Sequence, residues 1–318
     1  MTINSIQLDR AIGAVTASAA GDALGSQYEF GPALPDAMTL SFGTGVFGHG
    51  AGEWTDDTSM AIPVLEALAA GRDLVDADVR TDIVRDWIEW ARTSKDVGAQ
   101  TRAVFAGIRG SITADAALAS SREHHERFGR SAGNGSLMRT GPVALGYLQR
   151  SPAELVDAAS AIARLTHWED DNADACALWC LVIRHAILTG ELDVRAQLQH
   201  IPTERRVRWA GLVDEALEPD AHPRNFQAQN GWVVRAFQAA LAAVAGATSL
   251  KDAVERAIRG GGDTDTVAAI AGSLAGAVFG GSALPVEWQR RVHGWPSYRL
   301  ADLSRQAALA ARGGEADA

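Results

Sequence analysis

The segment Gly261–Thr266, which reads Gly-Gly-Asp-Thr-Asp-Thr, concentrates two carboxylates and two hydroxyls in four consecutive positions. The small-residue apolar run that follows, from Val267 to Phe279, predicts a buried helix. Asp263 and Asp265 therefore stand at the entrance of a helix. One interpretation is an ordinary N-cap, in which a side-chain oxygen satisfies the free N–H groups of the first turn. The other is a metal site, because a hard divalent cation needs about six oxygen ligands.

A second acidic segment, Thr55-Asp56-Asp57-Thr58, precedes another apolar helical run, from Met60 to Ala70. Adjacent carboxylates at a helix start repel each other unless a cation or several donors offset their charge. Because neither segment contains Cys or His, its oxygens favour Mg²⁺, Mn²⁺ or Ca²⁺ over Zn²⁺. This many carboxylates also suit two ions that share a bridging Asp. The two segments lie far apart in the sequence, so only the fold can bring them together.

Five short motifs follow one another in a characteristic order. They are Gly21-Asp22-Ala23-Leu24-Gly25 with Glu29, Thr55-Asp56-Asp57, Gly133-Asn134-Gly135-Ser136-Leu137-Met138-Arg139, Thr166-His167 and Gly261–Thr266. In this order they resemble the motifs of the ADP-ribosylglycohydrolase family. The match runs from Gly21 to about Gly281 and so covers most of the chain. Each motif is weak alone, whereas five in order are specific.

The resemblance implies a metal-dependent hydrolase that cleaves the N- or O-glycosidic bond of an ADP-ribosylated substrate and releases ADP-ribose. The implied cofactors are two Mg²⁺ or Mn²⁺ ions, and the implied partner is ADP-ribose or an ADP-ribosylated protein or small molecule. The segment Asp96-Val97-Gly98 resembles one in the arginine-specific branch and favours ADP-ribosylarginine on protein. Serine, ester and free guanidine linkages stay open, as does the choice of metal.

The resemblance also implies roles for individual residues. Glu29 matches the family's essential glutamate and, with Asp96, is a candidate general acid or base. On residue type alone, Glu29 is a solvated loop acid and Asp96 is equally well an N-cap. The expected metal ligands are Thr55, Asp56, Asp57, Asp263, Asp265 and Thr266. The expected substrate-binding residues are Gly133, Asn134, Gly135, Ser136, Met138, Arg139, His167 and Trp232.

Several of the substrate-binding candidates have plain structural interpretations as well. Flexible glycines in Gly133–Ser136 let backbone N–H groups approach a phosphate at a helix start, but a turn with a Ser cap explains the same residues. His167 either holds the phosphate or distal ribose or is a hydrogen-bonded structural residue. Arg139 either pairs with a phosphate or braces an acidic segment. Trp232 either stacks on adenine or fills the core.

Composition favours a single all-α domain. The 318 residues are 47% hydrophobic and only 6% aromatic, with much Ala, which is typical of close-packed helices. The sequence shows no convincing period-2 strands, fixed repeat or Pro/Ser-rich linker. We therefore predict one domain over residues 1–310 and a frayed tail over residues 311–318. The resemblance implies that this domain is a compact orthogonal helical bundle with a dinuclear metal cleft.

Charge and apolar runs indicate which partners and compartments to expect. The net charge of −10 disfavours nucleic acid and membrane surfaces as partners. No run reaches the roughly 18 strongly apolar residues of a membrane span. The run Ala11–Ala20 mimics a signal sequence, but Asp9 and Arg10 interrupt its approach, so it predicts a core helix. Because the only cysteines are Cys176 and Cys180, we expect a cytoplasmic protein.

Three functions are compatible with the sequence. The first is an ADP-ribosyl hydrolase, and the second is another two-metal hydrolase of a phosphorylated small molecule. The third is a non-catalytic, ADP-ribose-binding member of the same fold. All the expected metal ligands are present, which disfavours the third.

Overall fold

The structure is a computed structural model that describes residues 3–314, which form sixteen α-helices and one two-stranded sheet. The helices are α1 (Ser5–Gly25), α2 (Asp56–Ala69), α3 (Ala77–Ala91), α4 (Ala99–Gly107), α5 (Ala114–Phe128), α6 (Leu137–Thr140), α7 (Val143–Gly146), α8 (Pro152–Arg164), α9 (Asp170–Thr189), α10 (Val194–Gln197), α11 (Thr203–Ala216), α12 (Val233–Ala245), α13 (Leu250–Arg259), α14 (Thr264–Phe279), α15 (Val286–Arg291) and α16 (Leu300–Ala311). The prediction of an all-α fold is confirmed.

The remaining regular structure is short. Strands β1 (His293–Gly294) and β2 (Tyr298–Arg299) pair antiparallel, with His293 opposite Arg299. Two residues per strand are too few to produce a detectable alternation, so no periodic pattern predicted these strands. Within the described range no helix has both the length and the apolarity that a bilayer crossing requires.

Two expectations about domain organisation are not decided. The single domain over residues 1–310 stays a prediction. The predicted frayed tail begins at Ala311, which is the last residue of α16, and residues 315–318 lie outside the described part of the chain.

Helices α1 and α14 pack antiparallel at the centre of the fold with their backbones in contact. Small residues recur at every fourth position of α1, at Gly13, Ala17, Gly21 and Gly25, and so share one face. A Cβ atom on Gly21 would lie 2.7 Å from the carbonyl carbon of Ala268. A Cβ atom on Gly272 would lie 2.7 Å from the carbonyl carbon of Ala17. Neither separation leaves room for a side chain, so this contact requires glycine.

The contact brings the end of α1 beside the start of α14. A Cβ atom on Gly25 would lie 2.6 Å from the Cα atom of Asp265, and the Thr264 hydroxyl donates to the Gly25 carbonyl oxygen at 2.9 Å. Helix α2 begins at the same end of α1, where Asp22 accepts hydrogen bonds from its first turn. The acidic starts of α2 and α14 are thereby held next to each other.

Replacing Gly272 with Ala should lower the free energy of unfolding by about 1–3 kcal/mol, because the added methyl group presses on the backbone of α1. Urea denaturation followed by far-UV circular dichroism measures the change.

Gly211 in α11 is the matched control, since a Cβ atom there meets nothing within 4 Å. Gly211→Ala should stabilise the protein by about 0.5–1 kcal/mol, because Ala is the better helix former. Equal effects of the two substitutions would contradict the close backbone contact.

Candidate metal centre and active-site cleft

Carboxylates from three helix ends converge at the junction of α1, α2 and α14. One oxygen each from Asp22, Asp57 and Asp265 lies within 4.8 Å of the other two, and all three side chains are buried. Glu29, Asp263 and Asp265 form a second group with the same spacing. Asp265 belongs to both groups. The two acidic segments of the sequence therefore meet in space, because Asp57 of one lies beside Asp265 of the other.

Asp22 fastens the first turn of α2 to α1. Its Oδ1 accepts hydrogen bonds from the backbone N–H and the hydroxyl of Thr55, both at 2.8 Å. Its Oδ2 accepts from the backbone N–H of Thr58 at 3.0 Å and from the Thr58 hydroxyl at 2.6 Å. This side chain thus caps a helix from outside it. Burial raises the pKa of Asp22 to about 6, against the opposing effect of these hydrogen bonds.

Among the described residues, two buried carboxylate oxygens of the site have no hydrogen-bond partner. Asp57 Oδ2 lies 2.9 Å from the Thr55 hydroxyl, whose single proton is shared with Asp22 Oδ1, but Asp57 Oδ1 is buried without a hydrogen-bond partner among the described residues. Glu29 Oε2 is likewise buried without a hydrogen-bond partner among the described residues. A buried, unsatisfied oxygen needs an explanation, and a hard cation supplies one. The all-oxygen donor set therefore fits Mg²⁺ or Mn²⁺.

Burial and mutual repulsion raise the pKa of most carboxyls in the cluster. Burial and then the charge of Asp263 raise the pKa of Glu29 to about 8. Burial and then Asp57 raise the pKa of Asp265 well above its usual range. Burial and then the charge of Asp22 raise the pKa of Asp57. Burial and then the charge of Asp96 raise the pKa of Asp56. Without a cation the cluster retains protons that a divalent ion would displace.

The cluster opens on a cleft of about 410 Å³. The predicted site residues that line it are Glu29, Asp56, Asp96, Gly133, Asn134, Gly135, Met138, His167, Asp263, Asp265 and Thr266. Thr55 and Asp57 are buried and do not line the cleft, and the Thr55 hydroxyl links Asp22 to Asp57. The lining also includes Phe30 and Phe47, whose exposed rings meet edge to face at 6.0 Å. Sequence reasoning missed both rings and the bracing role of Asp22.

The segment between α1 and α2 is held to the start of α14. The Phe30 N–H donates to the Gly262 carbonyl oxygen at 2.7 Å, and the Gly262 N–H donates to the Gly31 carbonyl oxygen at 2.9 Å. Gly262 has a φ of 74°, a left-handed conformation that glycine adopts without strain. These bonds keep Glu29 beside Asp263.

Asp96 lies half-buried in the segment before α4. Helix α4 starts at Ala99 with Gly98 in the N-cap position, so Asp96 is not the cap of this helix. Burial and then Asp263 raise the pKa of Asp96, whereas Arg102 lowers it. Its carboxyl faces the same cleft as Glu29.

The far end of the cleft is formed by His167 and the glycine-rich loop. A Cβ atom on Gly133 would lie 3.2 Å from His167 Nε2, and one on Gly135 would lie 3.1 Å from His167 Cε1. His167 Nδ1 and the Thr166 hydroxyl are hydrogen-bonded at 2.7 Å. Burial and then Arg139 lower the pKa of His167 well below its ordinary value, so its imidazole is neutral.

The loop is tied to the acidic cluster and to α9. Asn134 Nδ2 donates to Asp263 Oδ2 at 2.7 Å. Asn172 Nδ2 donates to the Gly133 carbonyl oxygen at 2.7 Å and to Ser136 Oγ at 2.8 Å. The predicted helix start is a 3₁₀ turn, Asn134–Ser136, that runs into the four-residue α6. The dipole of such a short helix is small, so an anion bound here would be held by individual backbone N–H groups.

Arg139 and Trp232 do not line the cleft. Arg139 is fully buried, where it donates to the Gly135 carbonyl oxygen at 2.5 Å and to Thr166 Oγ1 at 2.7 Å. Its guanidinium also stacks on the Trp87 ring, 4.4 Å from the centroid. The half-buried Trp232 pairs with Gly133 through its backbone and packs against the core. Both residues support the glycine-rich loop from behind.

Removing divalent cations should make the thermal stability fall as the pH rises from about 5 to 8. Carboxyls whose pKa is higher in the folded protein, such as Asp22 at about 6 and Glu29 at about 8, stabilise the fold only while protonated. Scanning calorimetry in chelator should show this decline, and Mg²⁺ or Mn²⁺ should reverse it at pH 8.

Asp265→Asn should raise the melting temperature in chelator at pH 8 and remove the response to metal, because the side chain shared by both groups loses its charge. Asp157→Asn, on the exposed face of α8, is the control and should keep the wild-type response. A full metal response in Asp265→Asn would rule out the shared site.

Comparison with known proteins assigns the chain to a family. A family model described as ADP-ribosylglycohydrolase matches residues 4–317. An ADP-ribosylarginine hydrolase of Pseudomonas putida (strain GB-1) is 33% identical over 294 residues, which are 90% of this chain and 74% of that protein. An ADP-ribosyl-dinitrogen reductase glycohydrolase of Rhodospirillum rubrum is 30% identical over 288 residues, which are 88% of this chain and 89% of that protein.

A solved structure agrees with these relatives. It is described as an ADP-ribosylglycohydrolase-related protein complex, and it superposes with a TM-score of 0.69 at 26% identity. The alignment covers 98% of this chain and 100% of that one. The resemblance found in the five motifs is therefore confirmed over nearly the whole chain. The protein belongs to the ADP-ribosylglycohydrolase family and is an enzyme of the ADP-ribosyl glycohydrolase class.

Proposed function

We propose that the protein cleaves the bond between ADP-ribose and the guanidinium group of an arginine side chain, with two Mg²⁺ or Mn²⁺ ions bound at the acidic cluster. The observation that carries the proposal is the position of Asp265, which belongs to both carboxylate groups and so suits a ligand that bridges two ions. The ADP-ribosylarginine hydrolases among the relatives support the arginine linkage.

Six residues would hold the ions in this proposal: Thr55, Asp56, Asp57, Asp263, Asp265 and Thr266. Asp22 has a different role, because its two oxygens already accept four hydrogen bonds from α2. It positions the ligands instead of joining them. When bound, the ions would neutralise the carboxylates, engage the hydroxyls of the proximal ribose and lower the pKa of a water molecule.

Glu29 is our candidate for the general base. Hydrolysis at the anomeric carbon passes through an oxocarbenium-like state and needs an activated water and a proton for the leaving group. Glu29 has one oxygen in the group with Asp263 and Asp265, and its Oε2 has no partner among the described residues. This position supports proton transfer from a water at the cluster to Glu29.

Asp96 is our candidate for orienting the leaving group. A guanidinium group offers paired N–H donors, and a carboxylate accepts them in a charge-assisted, bidentate geometry. Asp96 lines the cleft and is half-buried, which strengthens such a pair. A serine or ester linkage would offer Asp96 no comparable partner.

The ADP part of the substrate would occupy the end of the cleft formed by Gly133, Asn134, Gly135, Met138 and His167. Ser136, Arg139 and Trp232 would act indirectly, by supporting the loop that carries these groups. Gly133 and Gly135 are half-buried and line the cleft, and without side chains they let backbone N–H groups approach a phosphate. The neutral His167 suits hydrogen bonding to a ribose hydroxyl better than ion pairing with a phosphate.

We also propose a cytoplasmic location. Cys176 and Cys180 are both free and buried, and Cys180 Sγ contacts the Thr140 carbonyl oxygen at 3.3 Å. Unpaired thiols in the core are typical of a protein that folds in a reducing compartment.

Purified protein should release free ADP-ribose from an ADP-ribosylarginine substrate in Mg²⁺ or Mn²⁺ and lose this activity in chelator. Serine- and ester-linked substrates in the same assay should react more slowly. A faster reaction with either of them would overturn the arginine assignment.

Glu29→Gln should lower kcat by about 10²–10⁴-fold, the usual contribution of a general acid or base. Its melting temperature should still respond to metal, because the proposed ion ligands remain. Glu191→Gln, an exposed substitution between α9 and α10, is the control and should leave kcat unchanged. Wild-type kcat in Glu29→Gln would exclude Glu29 as the base.

A further inference from the structure

A second, larger cleft of about 640 Å³ lies beside the active-site cleft. Trp54 and Lys95 line the second cleft, whereas Asp56 and Asp96, only two and one positions further along, line the first. Consecutive Cα atoms are about 3.8 Å apart. The wall between the two clefts is therefore about one chain thick at both places.

The second cleft has aromatic walls and a cationic rim. Its aromatic side chains are Trp54, Trp90, Trp295 and Tyr298. Lys95 and Arg299 are its exposed cations, and Glu53 is the single carboxylate among the described residues that line it. Five carboxylates line the neighbouring cleft, and the whole chain carries a net charge of −10. The second cleft is thus a local site for an anion on an acidic protein.

Two further features indicate a built site. Buried nitrogens of two lining side chains, His49 Nδ1 and Trp54 Nε1, have no hydrogen-bond partner among the described residues. Ser297, which also lines the cleft, has a φ of 93°, a left-handed value that costs a non-glycine residue of order 1 kcal/mol. Strained residues of this kind concentrate at ligand sites.

The path of the chain shows which end of the active-site cleft faces the second cleft. From Lys95 the chain runs to Gly98, where a Cβ atom would lie 3.9 Å from Asp56 Oδ2. It continues to Thr101, whose hydroxyl oxygen would lie 3.9 Å from a Cβ atom on Gly135. The glycine-rich end, where ADP would bind, is therefore the end away from Lys95. The leaving group would emerge on the side of Asp96, towards the second cleft.

We propose that the second cleft binds the polypeptide that carries the ADP-ribosyl group, through an acidic side chain near the modified arginine. This inference rests on the proposed function. An extended peptide advances about 3.3 Å per residue, so an acidic residue two to four positions from the arginine lies about 7–13 Å from it, far enough to cross a wall one chain thick. There its carboxylate meets Arg299, and its backbone crosses the aromatic walls.

The charges favour an acidic peptide over a nucleotide. Lys95 Nζ already donates to both carboxylate oxygens of Glu53, at 2.8 and 2.7 Å. Arg299 is then the main exposed cation of the rim, and one guanidinium group matches one carboxylate. A diphosphate would need a second free cation to offset its charge.

The experiment compares two ADP-ribosylarginine peptides that differ only by Glu or Gln three positions from the modified residue. Wild-type protein should cleave the Glu peptide with a kcat/KM roughly five-fold higher than that of the Gln peptide, because the KM for the Glu peptide is lower. A difference of this size is expected for a partly exposed charge pair. Arg299→Glu should reverse this preference and change hydrolysis of free ADP-ribosylarginine less than two-fold.

Arg305→Glu is the matched control, because Arg305 is an exposed cation of α16 outside both clefts. It should keep the wild-type preference for the Glu peptide. Equal kcat/KM values for the two peptides with the wild-type protein would overturn the proposal.

A binding measurement separates this proposal from the proposed function. The unmodified Glu peptide should quench the tryptophan fluorescence of wild-type protein and of Arg305→Glu, but not that of Arg299→Glu. If this result is obtained but ADP-ribosylarginine is not hydrolysed, the proposed arginine hydrolase activity is wrong and the proposed peptide-binding cleft is supported. Displacement of the bound peptide from wild-type protein by AMP, together with weaker binding of AMP to Arg299→Glu, would show a nucleotide site and overturn the peptide assignment.

Discussion

The backbone contact between α1 and α14 is the constraint on which the rest of the structure depends. Because glycine and alanine face each other along this contact, the two helix axes approach closely and in one register. That register fixes Asp22 on α1 against Asp265 on α14. Larger residues would separate the helices, and the carboxylates would then lie too far apart to share a cation. The small residues in the contact between α1 and α14 thus set the spacing of the carboxylates at the end of these helices.

The acidic cluster is electrostatically unfavourable by itself. Its carboxylates are buried, they repel one another, and two of their oxygens lack partners among the described residues. Natural folds tolerate such an arrangement where it serves binding or catalysis, because the stability that is lost locally is supplied elsewhere. Here the helix starts of α2 and α14 and the hydrogen bonds to Asp22 hold the charges in place.

The sequence predicted those features that depend on local patterns. Helical periodicity and the acidic starts of α2 and α14 were visible, so the all-α fold and the acidic segments could be found. The role of Asp22 was not visible, because its partners Thr55 and Thr58 are distant in sequence. The burial of Arg139 and the second cleft likewise depend on contacts between remote segments. Of the two roles expected for Arg139, the structure favours support of a neighbouring segment over pairing with a phosphate. The segment that it supports is the glycine-rich loop and not an acidic segment.

The full burial of Arg139 gives the two ends of the candidate active-site cleft different mechanical characters. Its guanidinium joins the Gly135 backbone, Thr166 and the Trp87 ring, so the glycine-rich end moves only if the interior moves with it. The opposite end is bordered by the irregular segment between α1 and α2, which backbone hydrogen bonds at Phe30 and Gly31 hold to the start of α14. Such an enzyme would hold the nucleotide in one fixed position, and any adjustment to different polypeptides would take place at the other end of the cleft.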